Sequence, residues 1–145
     1  MKYGKKLTEK EIEAFLKGNQ LGTLAFAGKR PYAIPMGYIY RKGVLFFGFS
    51  KSGKNRKIDC VGKSKRVCFT ICKPRKDTPN MKIPCTSLVI EGSLEVVKNR
   101  VYYGFPAEPF PDSQMYRLKV SKIGALKCNR KPCELFVQKK TQEKQ

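Results

Sequence analysis

The sequence predicts a mainly β fold, in which six antiparallel strands close into a small barrel with a short N-terminal helix and one crossing helix. Apolar, strand-like segments recur along the chain, and short turns containing glycine separate the first three of them. Closing a sheet into a barrel removes edges that would otherwise pair with other chains. The length of 145 residues suits one domain. We therefore expect one domain over residues 1–138 and a flexible C-terminal tail over residues 139–145, where no apolar residue is present to dock the chain.

A short amphipathic helix is the first predicted element. Thr8 and Glu11 have the spacing of a capping box, in which the threonine hydroxyl accepts from the Glu11 amide and the Glu11 carboxylate reaches back. Apolar residues at helical spacing follow, and Gly18 predicts a left-handed residue at the end of the helix. The apolar stripe of this helix should pack on the core.

The strand-like segments give the order of the sheet elements. The predicted strands cover residues 21–26, 32–40, 44–49, 66–72, 86–97 and 115–120, and the crossing helix covers residues 54–63. A turn at residues 41–43 makes a hairpin of the second and third strands. Gly92 interrupts the fifth strand and predicts a bulge or a barrel corner.

The chain is strongly basic, with 31 Lys and Arg residues against 11 Asp and Glu residues and a formal net charge of +20. The positive electrostatic field of such a chain attracts any anionic partner, whether an acidic cofactor, an acidic protein or nucleic acid. The basic residues are spread along the whole chain, whereas a nucleic-acid-binding protein more often concentrates them on one face among aromatic residues. A nucleic-acid-binding β-barrel that uses Tyr3, Tyr102 and Tyr103 stays open as an alternative that this pattern does not favour.

The sequence predicts a cytoplasmic protein with reduced thiols. No run of about 18 apolar residues is present to span a membrane, and the N-terminal residues lack the apolar stretch of a secretion signal. The six cysteines are therefore expected to be free. Cys68 and Cys72 share one face of a predicted strand but lie about 13 Å apart, too far to chelate one metal, so we expect them to pack in the core. Cys128 and Cys133 lack the two-residue spacing of common zinc motifs, and no metal site is predicted.

The segment after the third strand has the composition of an anion-binding site. An apolar run over residues 45–49 passes directly into the polar, basic residues 50–57. Hydroxyls, cations and backbone amides freed by Gly53 meet there, where a strand ends and a helix begins, and this combination suits a phosphate group. A solvated loop is the other interpretation of such a cluster. The sequence around it favours an anionic cofactor.

The order of motifs over residues 7–120 resembles the FMN-binding split barrels related to pyridoxamine 5′-phosphate oxidase. The similarity is greatest to the short members, which include nitroimidazole reductase and flavoredoxin-like proteins. The segments that carry the resemblance are Leu21-Gly22-Thr23-Leu24-Ala25, Pro31-Tyr32-Ala33-Ile34-Pro35-Met36-Gly37-Tyr38, and residues 53–59 leading to Lys65-Arg66-Val67-Cys68-Phe69. Each segment alone is common, but the set in this order is distinctive. The resemblance implies that the predicted barrel is a split β-barrel.

The resemblance also implies two sets of cofactor-binding residues. In the family, the second strand lies along the flavin ring, and the matching residues here are Ala33, Ile34, Pro35 and Met36. A proline in a strand leaves the ladder without one donor and so tolerates a ligand alongside. The family binds the FMN phosphate where the third strand meets the following helix. The matching residues are Phe49, Ser50, Lys51, Ser52, Arg56 and Lys57, with Lys54 as an alternative to the last two because two inserted residues shift the match.

The resemblance further implies a flavoprotein oxidoreductase in which FMN passes hydride or electrons from a reduced donor to a small acceptor. Members of the family are homodimers with the flavin at the subunit interface, so the implied partners are a second copy, the donor and the acceptor. Relatives of the nitroimidazole reductase type often carry a histidine near Gly48, and this chain contains no histidine. The C-terminal part does not match true pyridoxamine phosphate oxidases, so that specific activity is not expected. A split barrel that holds a deazaflavin instead of FMN is the alternative within this fold.

Overall fold

The computed structural model describes residues 4–29, 31–51, 60, 66–74 and 84–128. Strands make up most of these ranges, which confirms the predicted mainly β class. The elements are β1 Gly4–Lys6, α1 Glu9–Lys17, β2 Leu21–Phe26, β3 Tyr32–Gly37, β4 Ile39–Arg41, β5 Val44–Ser50, β6 Arg66–Pro74, β7 Pro84–Val96, a 3-10 turn Val101–Tyr103, and β8 Ser113–Cys128. Helix α1, the longest helix in the described ranges, is far too short to cross a membrane, and no other described helix qualifies.

The described strands form one antiparallel sheet in the order β3-β2-β6-β7-β8-β5-β4, with β1 paired to β8. Strands β3 and β4 stand at opposite ends of this order, yet only Tyr38 separates them in the chain. The sheet must therefore curl until its two ends meet at Tyr38. A curled antiparallel sheet with a helix at its N-terminal side is the split-barrel class that the sequence predicts.

The strands differ from the prediction in number and length. The predicted strand over residues 32–40 is divided at Tyr38 into β3 and β4, and residues 4–6 add β1 against the end of β8. Strand β8 continues to Cys128, beyond its predicted end at residue 120, because it pairs with β7 and then with β1. Cys60 is helical, and the rest of the predicted crossing helix lies outside the described residues, as does the predicted tail over residues 139–145.

The start of α1 has the predicted capping box. The backbone amide of Glu11 donates to the Thr8 hydroxyl at 3.2 Å, and the backbone amide of Thr8 donates to the Glu11 carboxylate at 3.3 Å. These hydrogen bonds with Thr8 hold the pKa of Glu11 below its usual value, because they favour the ionised carboxylate. Both orphan amides are thereby satisfied at the point where the helix begins.

The end of α1 differs from the prediction. A left-handed residue at Gly18 is wrong, since Gly18 has a φ of −84° and a ψ of −4°. The last carbonyl groups are satisfied by side chains instead. Asn19 Nδ2 donates to the carbonyl oxygen of Phe15 at 2.6 Å, and the Tyr38 hydroxyl donates to that of Leu16 at 2.7 Å. Tyr38 therefore joins the helix to the point where the sheet closes.

Inward-facing side chains of the curled sheet form the main core. Phe47 in β5 and Phe69 in β6 are almost completely buried, and their ring centroids lie 4.9 Å apart in an edge-to-face contact. The ring of Tyr38 packs edge-on against Phe69 at 5.5 Å. Leu16 brings the apolar stripe of α1 into the same cluster, as the amphipathic pattern predicts.

A second, smaller core lies on the outer face of β5. Phe46 is buried there with Val97 and Phe105, and its ring meets those of Tyr103 and Phe105 with centroids 4.8 and 4.9 Å away. The Arg41 guanidinium lies over the Phe105 ring at 4.4 Å and donates to the carbonyl oxygen of Tyr103 at 3.3 Å. The segment after β7 is thereby fixed over β5, away from the main core.

The prediction that Cys68 and Cys72 pack in the core is wrong. Alternate residues of β6 point inward and are buried, namely Val67, Phe69 and Ile71. Cys68 and Cys72 lie on the other face, where Cys68 is half-buried and Cys72 is exposed. Burial raises the pKa of the Cys68 thiol, so it stays protonated at neutral pH. The described free thiols are Cys60, Cys68, Cys72 and Cys128, and the side chains of Cys85 and Cys133 lie outside the described part.

Gly92 lies at a bulge, as the sequence predicts. Glu91 pairs with Lys122 and Gly92 pairs with Val120, so Ser121 is an extra residue in β8. The Ser121 hydroxyl donates to the carbonyl oxygen of Glu91 at 3.0 Å. A bulge bends the strand and increases its twist, which helps the long β7–β8 pair to curl around the core.

Candidate functional site

Strands β3 and β5 border an opening in the curled sheet. Strand β4 pairs only with the first three residues of β5, where Ile39 lies opposite Phe46. On the other side of Tyr38, β3 pairs with β2. No pairing joins β3 to β5 in the part of the chain that the structure describes. The two strands therefore diverge at Tyr38 and leave a split between them.

The two predicted sets of site residues lie on opposite sides of this split. Continuing the β4–β5 register past Tyr38 would set Gly37 level with Gly48 and Pro35 level with Ser50. The ring-contact residues belong to β3 and the described phosphate-contact residues to the end of β5. A ligand that bridged the split would therefore reach both sets.

The side chains of the predicted ring contacts alternate between the two faces of β3. Ala33 and Pro35 are exposed, whereas Ile34 packs against the main core and Met36 is buried in it. A ligand on the exposed face would touch the Ala33 and Pro35 side chains and could reach Ile34 and Met36 only through their backbone. This division follows from the two-residue period of a strand.

The predicted phosphate contacts are divided in the same way. The Phe49 ring is buried between those of Phe26 and Tyr116, with centroids 6.3 and 5.2 Å away, so its side chain belongs to the core. Ser50 and Lys51 are exposed at the end of β5. The backbone amide of Lys51 donates to the carbonyl oxygen of Asp112 at 2.7 Å, which leaves its ammonium group as the donor for an anion. Ser52, Arg56 and Lys57 lie outside the described residues.

A cavity of about 650 Å³, which we call the junction cavity, lies where β3 passes into β4. Its walls come from the end of α1, the β3–β4 junction, the outer face of β5 and the start of β8. The lining residues are Leu16, Lys17, Asn19, Gln20, Gly37, Tyr38, Ile39, Tyr40, Phe46, Gly48 and Met115. None of the predicted site residues lines it. It nevertheless adjoins both sets, since Gly37 follows Met36 and Gly48 precedes Phe49.

The ionisable groups of the junction cavity are either paired or neutral. The Lys17 ammonium lies 2.8 Å from the Glu13 carboxylate, and this hydrogen bond raises the pKa of Lys17. Burial raises the pKa of Tyr38 to about 12 and also raises that of Tyr40. Both phenols are therefore uncharged at neutral pH, and the cavity has little net charge.

The lining role of Gly37 and Gly48 is the feature that the sequence reading missed. In the sequence, Gly48 is notable only as the position where some relatives carry a histidine, and Gly37 only as part of a motif that resembles the family. Both are glycines inside strands, away from any turn. A strand glycine that needs no turn is a signal of close approach by a ligand or by another segment of backbone.

Comparison with known families gives one match. The model of a family described as pyridoxamine 5′-phosphate oxidase matches residues 8–101, which include α1 and all of β2 to β7. No curated protein matches this chain in sequence.

Solved structures share the fold at low sequence identity. A protein described as FAD-binding from Mesorhizobium loti is 16% identical, with a TM-score of 0.66 over 87% of this chain and 99% of that one. An FAD-binding protein from Mycobacterium smegmatis is 14% identical, with a TM-score of 0.63 over 86% of this chain and 99% of that one. A candidate 5-nitroimidazole antibiotic resistance protein from Bacteroides thetaiotaomicron is 14% identical, with a TM-score of 0.62 and coverages of 85% and 87%. At these identities the similarity establishes the fold alone.

Proposed function

This chain belongs to the pyridoxamine 5′-phosphate oxidase family, as its motifs predict, and from that premise we propose that it is an FMN-dependent oxidoreductase. In this proposal it passes hydride or electrons from a reduced donor to a small acceptor. The observation that carries the proposal is the split between β3 and β5, which has the described residues of the two predicted contact sets on its two sides. Two neighbours of the same fold, from Mesorhizobium loti and Mycobacterium smegmatis, are described as FAD-binding, which supports a flavin more strongly than it supports FMN in particular.

The described residues at the split fit a flavin. A planar ring needs flat apolar walls and a few backbone groups for its polar edge. Ala33 and Pro35 offer such a wall. Strand β3 is at the end of the described sheet, so the backbone of residues 33–37 has no strand partner along the edge that faces away from β2. Lys51 and Ser50 at the end of β5 offer an ammonium and a hydroxyl to a phosphate. The net charge of +20 favours any such anion in addition.

The chain's own contribution to the reaction is binding and orientation. FMN, when bound, supplies reversible two-electron chemistry. Pro35 and Ala33 would fix the plane of the ring, and Lys51 would fix the phosphate end. Neither role requires a covalent bond to a side chain, and the chain has no histidine for proton transfer. Any proton that the reaction needs would come from water.

We also propose that two copies of the chain pair, with the flavin at their interface. Strand pairing aligns five uncharged residues, one from each of five neighbouring strands, and none of these residues is buried. The row runs through Pro35, Thr23, Thr70, Val89 and Gly124. Two chains of charge +20 repel wherever their cations face each other, so a row of side chains without cations suits contact between copies. Pro35 belongs both to this row and to the predicted ring contacts.

The first test is the absorption spectrum of the concentrated purified protein, followed by mass identification of any chromophore that mild acid releases. We expect a flavin spectrum and the mass of FMN. Release of FAD or of a deazaflavin would correct the cofactor and leave the flavoprotein assignment in place. A colourless protein that neither binds added FMN nor gains thermal stability from it would contradict the proposal and would favour the nucleic-acid alternative, which predicts steep salt dependence of binding.

The second test concerns the phosphate contact. Lys51→Gln should weaken FMN binding roughly 10- to 100-fold, because a charge-assisted hydrogen bond of about 1.5–3 kcal/mol is lost. Riboflavin, which lacks the phosphate, should bind the variant and the unchanged protein equally. Lys127→Gln is the matched control, since Lys127 is exposed on β8 beside β1 and away from the split. Equal loss of FMN affinity in both variants would mean that the cofactor is attracted only by the overall positive charge of the chain and makes no specific contact with Lys51.

A further inference from the structure

We propose that the junction cavity binds an uncharged small molecule of one or two rings. Its volume of about 650 Å³ lies within the range of small-molecule sites. That this ligand is the electron acceptor rests on the proposed function, whereas the existence and the neutral character of the site rest on the cavity itself.

Two strand glycines line the cavity without a structural reason to be glycine. Neither Gly37 nor Gly48 has a positive φ. A Cβ at Gly48 would meet no atom of the described residues within 4 Å, and one at Gly37 would make only ordinary contact with the carbonyl oxygen of Gln20, at 3.6 Å. Glycine inside a strand is destabilising relative to alanine. Its presence on both sides of one cavity therefore indicates space kept for a ligand that approaches the backbone.

Other strand glycines of the same sheet show the contrast. A Cβ at Gly22 would lie 2.5 Å from the Phe69 ring, and one at Gly92 would collide with the carbonyl oxygen of Lys119. Those two glycines are required by close packing, and their presence needs no ligand. Gly37 and Gly48 have no such requirement among the described residues, so the packing of the chain does not account for them.

The polar groups of the cavity are neutral hydrogen-bonding groups. Asn19 and Gln20 carry carboxamides, and the Tyr40 phenol, like any phenol, is protonated at neutral pH. Leu16, Phe46 and Met115 supply apolar walls. A ligand with flat apolar faces and an amide, carbonyl or nitro group at its edge would match this lining.

The single cation of the lining does not favour an anionic ligand. The Lys17 side chain is 64% exposed, and its ammonium is held by Glu13 at 2.8 Å. The chain as a whole carries a net charge of +20, so long-range attraction favours anions at almost any other place on its surface. If this cavity binds neutral ligands more tightly than anionic ones, the preference must therefore come from its own lining, because the positive electrostatic field of the whole chain acts in the opposite direction.

The position of the cavity connects it to the proposed cofactor site. Gly37 and Gly48 lie on the two sides of the split, at the end where β3 and β5 converge on Tyr38. Their immediate neighbours in the chain, Met36 and Phe49, belong to the two predicted contact sets, although both of their side chains lie in the core. A molecule in the cavity would thus lie next to a flavin held across the split.

The experiment compares two probes of equal shape and different charge, benzamide and benzoate. The purified protein, with whatever chromophore it carries, is titrated with each probe while the backbone amide resonances of Gly37 and Gly48 are followed by NMR. We expect benzamide to shift both resonances saturably and to bind more tightly than benzoate. The absence of any shift with benzamide would overturn the proposal, as would benzoate binding as tightly as benzamide or more tightly.

Two glycine variants test the place of binding. Gly48→Leu should weaken benzamide binding at least fivefold by occupying the cavity, and Val120→Leu, at an exposed position of β8 that does not line the cavity, should leave it unchanged. If Gly48→Leu does not fold, Gly48→Ala serves in its place and should melt at the same temperature as the unchanged protein or higher. Unchanged benzamide affinity in the Gly48 variant, or a lower melting temperature for Gly48→Ala, would overturn the proposal.

Whether the protein contains a flavin distinguishes failure of this proposal from failure of the proposed function. A protein that has no flavin but binds benzamide at the cavity would retain the site and lose the acceptor role. A protein that binds benzamide only after its flavin is removed would show that the cavity belongs to the cofactor, and the assignment to a separate ligand would be overturned.

Discussion

Replacing Gly92 with alanine should destabilise the protein by about 3 kcal/mol or more, which is a large share of the roughly 5–15 kcal/mol that stabilises an ordinary domain. A Cβ at Gly92 would collide with the carbonyl oxygen of Lys119 and lie 3.1 Å from Cδ1 of Leu118. The oxygen belongs to the backbone of β8 and takes part in the pairing with β7, so it cannot rotate away as a side chain can. The collision would force β7 and β8 apart at the bulge, where β8 carries the extra residue Ser121.

Urea unfolding followed by circular dichroism measures this loss, and the chain has no tryptophan whose fluorescence could report it. Gly124→Ala is the matched control, because Gly124 lies in the same β7–β8 pair and a Cβ there would be 3.9 Å from the carbonyl oxygen of Val89. Its free energy of unfolding should stay within about 0.5 kcal/mol of the original. A Gly92→Ala protein as stable as the Gly124→Ala protein would mean that the bulge relaxes without cost.

Local signals predicted the parts of the fold that depend on neighbours in the chain. The capping box of Thr8 and Glu11 is confirmed, because both partners lie within one helical turn. The predicted turn at residues 41–43 is confirmed as well, and Lys42 and Gly43 have φ values of 49° and 76°, as a type I′ hairpin requires. The bulge at Gly92 follows from a glycine inside an otherwise regular strand pattern.

The wrong predictions depend on residues that are distant in the chain. Gly18 needs no left-handed conformation because Tyr38, 22 residues beyond Leu16, donates to the helix end. Cys68 and Cys72 are predicted to pack in the core because their separation excludes a shared metal, but the phase of β6 is fixed by Val67, Phe69 and Ile71. The extension of β8 to Cys128 depends on pairing with β7 and β1, which its lysine-rich sequence does not reveal.

In the candidate site, too, the features that depend on neighbours in the chain were predictable, and those that depend on distant residues were not. The family resemblance assigned residues 33–36 and 49–51 to the cofactor. The structure has residues 33–36 on β3 and residues 49 and 50 on β5, the two strands that border the split, with Lys51 directly after β5. Which of these side chains face outward depends on the phase of each strand, and for this reason Met36 and Phe49 turn out to be core residues. The junction cavity is formed by segments that are remote in sequence, from Leu16 to Met115, so no single motif predicts it.

Replacing Phe69 with alanine should cost about 4 kcal/mol of stability, through lost burial and the cavity left behind. Phe69 is 0% exposed, and its ring contacts those of Phe47 and Tyr38 at centroid distances of 4.9 and 5.5 Å. Each edge-to-face pair contributes about 0.5–1.5 kcal/mol beyond burial. Gly22 adds to the loss, because its backbone approaches the Phe69 ring so closely that no side chain fits between them, and removing the ring would leave β2 unsupported there.

The same substitution connects the core to the candidate site. Tyr38 packs on Phe69, lines the junction cavity and joins the two ends of the curled sheet, so loss of the Phe69 ring should loosen the cavity wall. Phe110→Ala is the control, since Phe110 is 69% exposed and its removal should change the free energy of unfolding by no more than about 0.5 kcal/mol. Urea unfolding of the two variants gives the comparison. If Phe69→Ala lost less than about 2 kcal/mol, the sheet would have to collapse into the vacated space, and closure at Tyr38 would depend on the chain connection more than on this aromatic cluster.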